Sequence, residues 1–121
     1  MKSKEDNPIA LKSYKFSVRC VKLYQYLCEQ KHDYIIGKQL LRSGTSIGAN
    51  VKEGIRGFTK ADFTAKMSIA MKEASESEFW IEILRDTDYI SKEQAESLLS
   101  DCHELIKMLM SIIKSAQTPS H

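Results

Sequence analysis

Residues 44–48 read Gly44-Thr45-Ser46-Ile47-Gly48, the GxSxG spacing that presents a nucleophilic serine in hydrolases, and Asp101 and His103 follow in hydrolase chain order. That chemistry needs a strained strand-to-helix turn on a parallel sheet and a loop of backbone N–H groups for the oxyanion. No strand alternation precedes Ser46. Asp101 and His103 stand two residues apart on a helical stretch, so they face different directions. A phosphate-cradling GxxxxGK[ST] loop is absent. His32, His103 and His121 lack HExxH or paired-cysteine spacing, and the adjacency of Cys102 and His103 reads as chance. Glu73, Glu76 and His103 lack the repeated Glu-x-x-His step of a di-metal helical bundle. The residues therefore predict no enzyme, metal, cofactor or small-molecule substrate.

The elements that would have to position such groups are helical throughout. At 121 residues the chain is expected to form a single domain, residues 1–121, with an ordered part over about 8–116. Hydrophobic residues are 42% and charged residues 28%, the balance of a folded soluble domain, and seven Gly and Pro are too few for a turn-rich all-β protein. No apolar run has the roughly 18–20 residues of a membrane span, and the start lacks a signal peptide's hydrophobic stretch. Three cysteines, an odd number with no CxxC, point to reduced thiols in a cytoplasmic setting.

Four segments carry helical periodicity. Asn7-Pro8 opens the first, with Ile9, Phe16, Cys20, Leu23 and Leu27 as its apolar spine, ending near Gln30. Asp33 is expected to cap the second, which runs through Ile36, Leu40, Ile47 and Val51 to a break at Gly57. Thr59-Lys60-Ala61-Asp62 reads as a capping box before Phe63, Met67, Ala70, Ala74, Ser77, Ile81 and Leu84. Ser91-Lys92-Glu93-Gln94 reads as another, with Ile90 and Ala95 as a weak hydrophobic staple, before Ala95, Leu98, Cys102, Leu105, Leu109, Ile112 and Ala116. Short connections make successive helices antiparallel neighbours. The fold class is all-α, an up-down-up-down four-helix bundle, and the 3.5-residue repeat predicts left-handed supercoiling. The ends, Met1–Asp6 and Gln117–His121, are expected to fray.

Ser43 through Asn50 is poor in helix formers, yet the apolar register continues through it. Gly44 and Gly48 form a GxxxG step, with Gly37 one heptad earlier. Each glycine costs about 1 kcal/mol relative to alanine in a helix, so their presence predicts close backbone packing on that side, with a functional loop as the alternative.

Two surfaces remain. Residues 1–60 carry 12 Lys/Arg against 5 Asp/Glu, and residues 61–121 carry 6 against 11. Lys38, Arg42, Lys52, Arg56 and Lys60 fall on the side of the second helix opposite its apolar face and are candidates for tracking a phosphate backbone. The third helix has a second stripe, Ile69, Glu73, Glu76, Trp80 and Ile83, which reads either as a wide core face with Trp80 half covered by a neighbouring helix or as a candidate subunit interface anchored by the sole tryptophan. If buried, Glu73 and Glu76 need cations, which Lys72, Arg42 or Lys52 are placed to supply.

The run from Leu41 to Gly54 (LRSGTSIGANVKEG), followed by Asp62-Phe63, Lys66, Ile69-Ala70, Lys72-Glu73-Ala74, Glu76-Ser77 and Trp80, closely resembles the bacterial four-helix-bundle family encoded in intervening sequences of 23S ribosomal RNA genes. Some members are labelled ribosomal proteins, and the accessory variability determinant proteins of diversity-generating retroelements look like relatives. The resemblance covers about residues 8–115. It implies an antiparallel four-helix bundle, assembly into a homopentamer and no known catalytic activity. The retroelement branch binds reverse transcriptase and nucleic acid through a basic surface. The expected function is a non-enzymatic oligomer that binds RNA, DNA or a nucleic-acid-handling protein through the basic face of the second helix. The alternative is an oligomeric interaction module without nucleic acid, its cations paired with acidic helices of neighbouring subunits.

Overall fold

Asn7 caps the first helix: its side-chain oxygen accepts a hydrogen bond from the Ile9 N–H at 3.0 Å, and Pro8 takes the first helical position. The computed structural model describes residues 7–117. Four helices follow, α1 (Pro8–Lys31), α2 (Ile36–Ile55), α3 (Lys60–Asp86) and α4 (Lys92–Gln117). The expected fraying of 1–6 and 118–121 falls outside the described residues, whereas Gln117 closes α4.

Linkers over 32–35, 56–59 and 87–91 return each helix alongside the one before it. Packing is extensive between α1 and α2, α2 and α3, and α3 and α4, and a thinner α1–α4 seam closes the ring. This is an all-α four-helix bundle, with no strand among the described residues.

Each linker has a local cause. His32 adopts the left-handed conformation (φ 53°), ending α1, and the Asp33 N–H bonds back to the Leu27 carbonyl at 3.0 Å. Asp33 then caps α2 from outside the helix: Oδ1 accepts from the N–H groups of Ile35 and Ile36, and Oδ2 from Gly37 at 2.7 Å. Thr59 accepts from the Asp62 N–H at 3.0 Å. Ser91 and Gln94 form a reciprocal box, with N–H to side-chain oxygen distances of 2.8 and 3.0 Å.

The core is the set of apolar spines read from the periodicity. Phe16, Cys20 and Leu27 meet Leu40, Ile47 and Val51, and across the bundle lie Met67, Ala74, Ile81, Cys102, Leu105 and Leu109, all buried. Ile36, Phe63, Ile112 and Ala116, at the helix ends, are half-buried rather than buried. Of the buried polar residues Ser13, Asp33, Ser43 and Ser77, the last two share a 2.9 Å hydrogen bond between α2 and α3, in which one hydroxyl donates to the other while the second hydroxyl's proton can go to a carbonyl of its own helix.

The small-residue stretch of α2 is continuous helix from Ser43 to Asn50. Its polar side chains turn back onto the helix instead of competing with it. Thr45 Oγ1 donates to the Leu41 carbonyl at 2.7 Å, and Asn50 Nδ2 donates to the Ser46 carbonyl at 2.9 Å. The glycines face α1. A Cβ built on Gly44 would lie 2.3 Å from Cys20 Sγ, one on Gly48 2.9 Å from Ser17 Oγ, and one on Gly37 2.8 Å from Leu27 Cδ1. At the far end Gly54 does the same toward α3, 3.0 Å from Lys66 Cβ. Dispersion contacts from this approach offset the glycine propensity cost.

Candidate functional site

The residues of the GxSxG pattern are dispersed. Ser46 Oγ accepts from Asn50 Nδ2 at 3.0 Å on α2. Asp101, on α4, faces α1, where Arg19 Nη1 bonds its Oδ2 at 2.6 Å. His103, also on α4, faces the other way and pairs with Glu78 of α3. Because α2 and α4 are diagonal in the ring, Ser46 does not meet Asp101 or His103. Among the described residues no group of three or more His, Cys, Asp or Glu is placed to hold a metal ion. No helix among them is long and apolar enough to cross a membrane.

The three cysteines are free thiols. Cys20 and Cys102 lie in the core, and burial pushes each thiol up to about 12. The neighbouring Cys102 adds to the effect on Cys20, and the carboxylates of Glu78 and Asp101 add to that on Cys102. Cys28 is half-buried, 3.7 Å from the Asp33 carbonyl. A thiol reagent at pH 8 is therefore expected to modify Cys28 in the native protein and to reach Cys20 and Cys102 only on unfolding. Unfolded thiols ionise from about pH 9 but the native pair not until about pH 12, so the unfolded state binds fewer protons in that window. Stability should fall as pH rises from 9 to 12. Urea titrations across that range should show a shallower fall for the Cys20→Ala, Cys102→Ala double variant.

The candidate cations separate. Lys38 and Lys52 are exposed on the outer side of α2, away from the core, and Arg56 is exposed at its C-cap. Arg42 tilts toward α3, where Nη1 bonds Glu73 Oε2 at 3.0 Å and Nη2 bonds Glu76. Glu76 also accepts from the Trp80 indole N–H at 3.2 Å. Lys60 leaves the α2 line altogether: the helix ends at Ile55, and Lys60 is the first residue of α3. Continuing the α2 wheel through Gly57 to Lys60 overextended that stripe. Just off it, Glu53 pairs with Lys66 of α3 at 3.1 Å.

The second stripe of α3 turns toward α2. Glu73, Glu76, Trp80 and Ile83 are half-buried, and Trp80 packs against the core while Ile69 is exposed. The neighbouring Phe79, in edge contact with Trp80 at 5.1 Å between ring centres, is instead 51% exposed. A wheel that scored only the heptad and Trp80 lines passed over it.

A second exposed apolar face was also missed. On α1, Leu11 (46% exposed), Tyr14 (68%) and Val21 (39%) point outward at helical spacing, with Val18 half-buried between them. Beside them, at the α1–α2 seam, is a groove of about 380 Å³ lined by Ala10, Leu11, Tyr14 and Ser17 of α1 and by Gly48, Lys52, Ile55 and Arg56 of α2. Gly48 supplies no side chain, which lets Ser17 and the Ser13 backbone of α1 approach closely: an added Cβ would lie 2.9 Å from Ser17 Oγ. Its lining is apolar with two cations at one edge. The i, i+3, i+7 and i+10 spacing of 11, 14, 18 and 21 was the available signal.

Comparison with known proteins places this architecture. A search of curated proteins found no match. A crystal structure of a protein of unknown function from the S23 ribosomal protein family of Bacteroides thetaiotaomicron is 48% identical and superposes with a TM-score of 0.88, covering 91% of this chain and 98% of that one. The family model for the 23S rRNA-intervening sequence protein matches residues 5–111, which span the four helices almost completely. The chain belongs to the 23S rRNA-intervening sequence protein family.

Proposed function

We propose that this protein is a non-enzymatic, self-assembling helical module, forming the homopentamer implied by the resemblance. The observation that carries this reading is the outer face of α1: Leu11, Tyr14 and Val21 are exposed in a row beside an apolar groove. A contiguous apolar surface of this kind marks an interaction site. Ile69 and Phe79 add exposed apolar area on α3. Sedimentation equilibrium of the purified protein tests it. The expected result is a mass several times 13.8 kDa that is retained on dilution to micromolar concentration, and a monomer mass at all concentrations overturns the reading.

A second reading, contact with RNA or DNA or a nucleic-acid-handling protein, is supported by the exposure of Lys38 and Lys52 on α2 and of Arg56 at its C-cap. Lys60 stands at the same end of the bundle as Arg56. RNA affinity measured against salt should give a log–log slope of roughly −0.7 per phosphate contact on single strands. Lys52→Gln should weaken binding more than Arg42→Gln, because Arg42 is already engaged by two carboxylates. Undetectable binding at low salt leaves the alternative, in which the basic face meets acidic helices of neighbouring subunits.

A further inference from the structure

The self-assembly reading is taken further by two surface features that match each other. One is the α1–α2 groove, apolar along Leu11, Tyr14 and Ile55, with Lys52 and Arg56 at its edge. The other is Phe79 on α3, an exposed aromatic side chain with Glu76 one turn before it, Glu82 one turn after and Asp86 two turns after. Glu82 is half-buried, and its charge also acts on Arg85 one turn along the helix. Glu76 and Asp86 are paired locally, with Arg42 and Arg85, and Lys72 lies two turns before Phe79. We infer that Phe79 of one copy of this chain seats in the α1–α2 groove of a second copy, with Glu82 directed toward Lys52.

Three observations favour a second copy as the occupant. The groove includes the cations Lys52 and Arg56, Glu82 lies one turn from the exposed aromatic residue, and every copy carries both features. The chain divides its charge in the same sense, basic over residues 1–60 and acidic over 61–121. α1 and α3 are diagonal in the ring, so groove and aromatic residue point to different sides of the bundle. Surfaces arranged that way join copies head to tail, and a head-to-tail contact closes into a ring when its rotation permits. A large aromatic side chain entering a pocket is the usual energetic anchor of such an interface.

The test uses two variants of the full chain. Phe79→Glu removes the inserted group and leaves the groove. The double variant Tyr14→Glu, Lys52→Glu spoils the groove and leaves Phe79. Circular dichroism checks the fold of each, and Phe79→Ser and Leu11→Ser serve as milder versions. Each variant alone is expected to weaken self-association by about 30-fold or more, the range of a hot-spot residue. Mixed, the two should form a one-to-one pair, because one intact groove meets one intact Phe79. Loss of assembly without recovery on mixing overturns the inferred contact. Retention of the native mass by both variants overturns it as well, while leaving self-assembly standing. A monomeric parent protein overturns both together.

Discussion

Gly44→Val should destabilise the protein by about 3 kcal/mol or more, read as a shift in the urea midpoint with the slope unchanged. The reason is spatial. Even the first carbon of a side chain there would sit 2.3 Å from Cys20 Sγ and 3.1 Å from Cys20 Cβ, with Phe16 behind them. Cys20 and Phe16 are themselves buried on all sides, so neither has room to yield. Gly44→Ala should cost about 1–3 kcal/mol despite the better helix propensity of alanine. Adding Cys20→Ala to Gly44→Ala should recover part of that loss, a coupling of about 1 kcal/mol in the double-mutant cycle. Ala49→Val, on the exposed side of the same helix, should change stability by only about 0.5 kcal/mol.

The second large effect belongs to Asp33. The residue is 6% exposed, and its carboxylate holds three backbone N–H groups, those of Ile35, Ile36 and Gly37. α2 has no side-chain cap at Ile35, so this carboxylate satisfies donors that otherwise have no partner. Asp33→Ala leaves them without a partner and removes a negative charge from the positive end of the helix. The expected loss is about 2–4 kcal/mol by thermal or urea unfolding. Asp33→Asn should fall between the two, since an amide keeps one acceptor oxygen but turns a donor toward part of the same group of N–H donors. A loss under about 0.5 kcal/mol for Asp33→Ala would show that water replaces the carboxylate there.

Helix periodicity was legible because burial and spacing agree. The four–three alternation from Met67 to Leu84 on α3 is the buried line, and the spine from Ile9 to Leu27 on α1 is buried at every position. The small-residue segment of α2 was readable only by weighing its poor propensity against unbroken apolar register. Tertiary contact with α1 decides that conflict. The surfaces were harder. Arg42 belonged both to the basic stripe of α2 and to the cations placed to meet Glu73 and Glu76, and the packed bundle shows the second role, because α3 brings those carboxylates to it. Trp80 drew attention by its type, whereas Phe79, one residue away, is the exposed ring. Leu11, Tyr14, Val18 and Val21 have helical spacing but lie opposite a stronger apolar spine, and only the packed bundle shows which of two stripes is covered.

The glycine-bearing side of α2 is a closed seam inside the subunit, and only the outer faces of the helices remain for a partner. Amide hydrogen exchange tests that seam most directly. Residues 44–51 should exchange only through global unfolding, with protection equal to the full unfolding free energy and matching the core amides of α3 around Ala74. Exchange within minutes over 44–51, while α3 stays protected, would contradict it by showing an opening hinge where a packed helix is described.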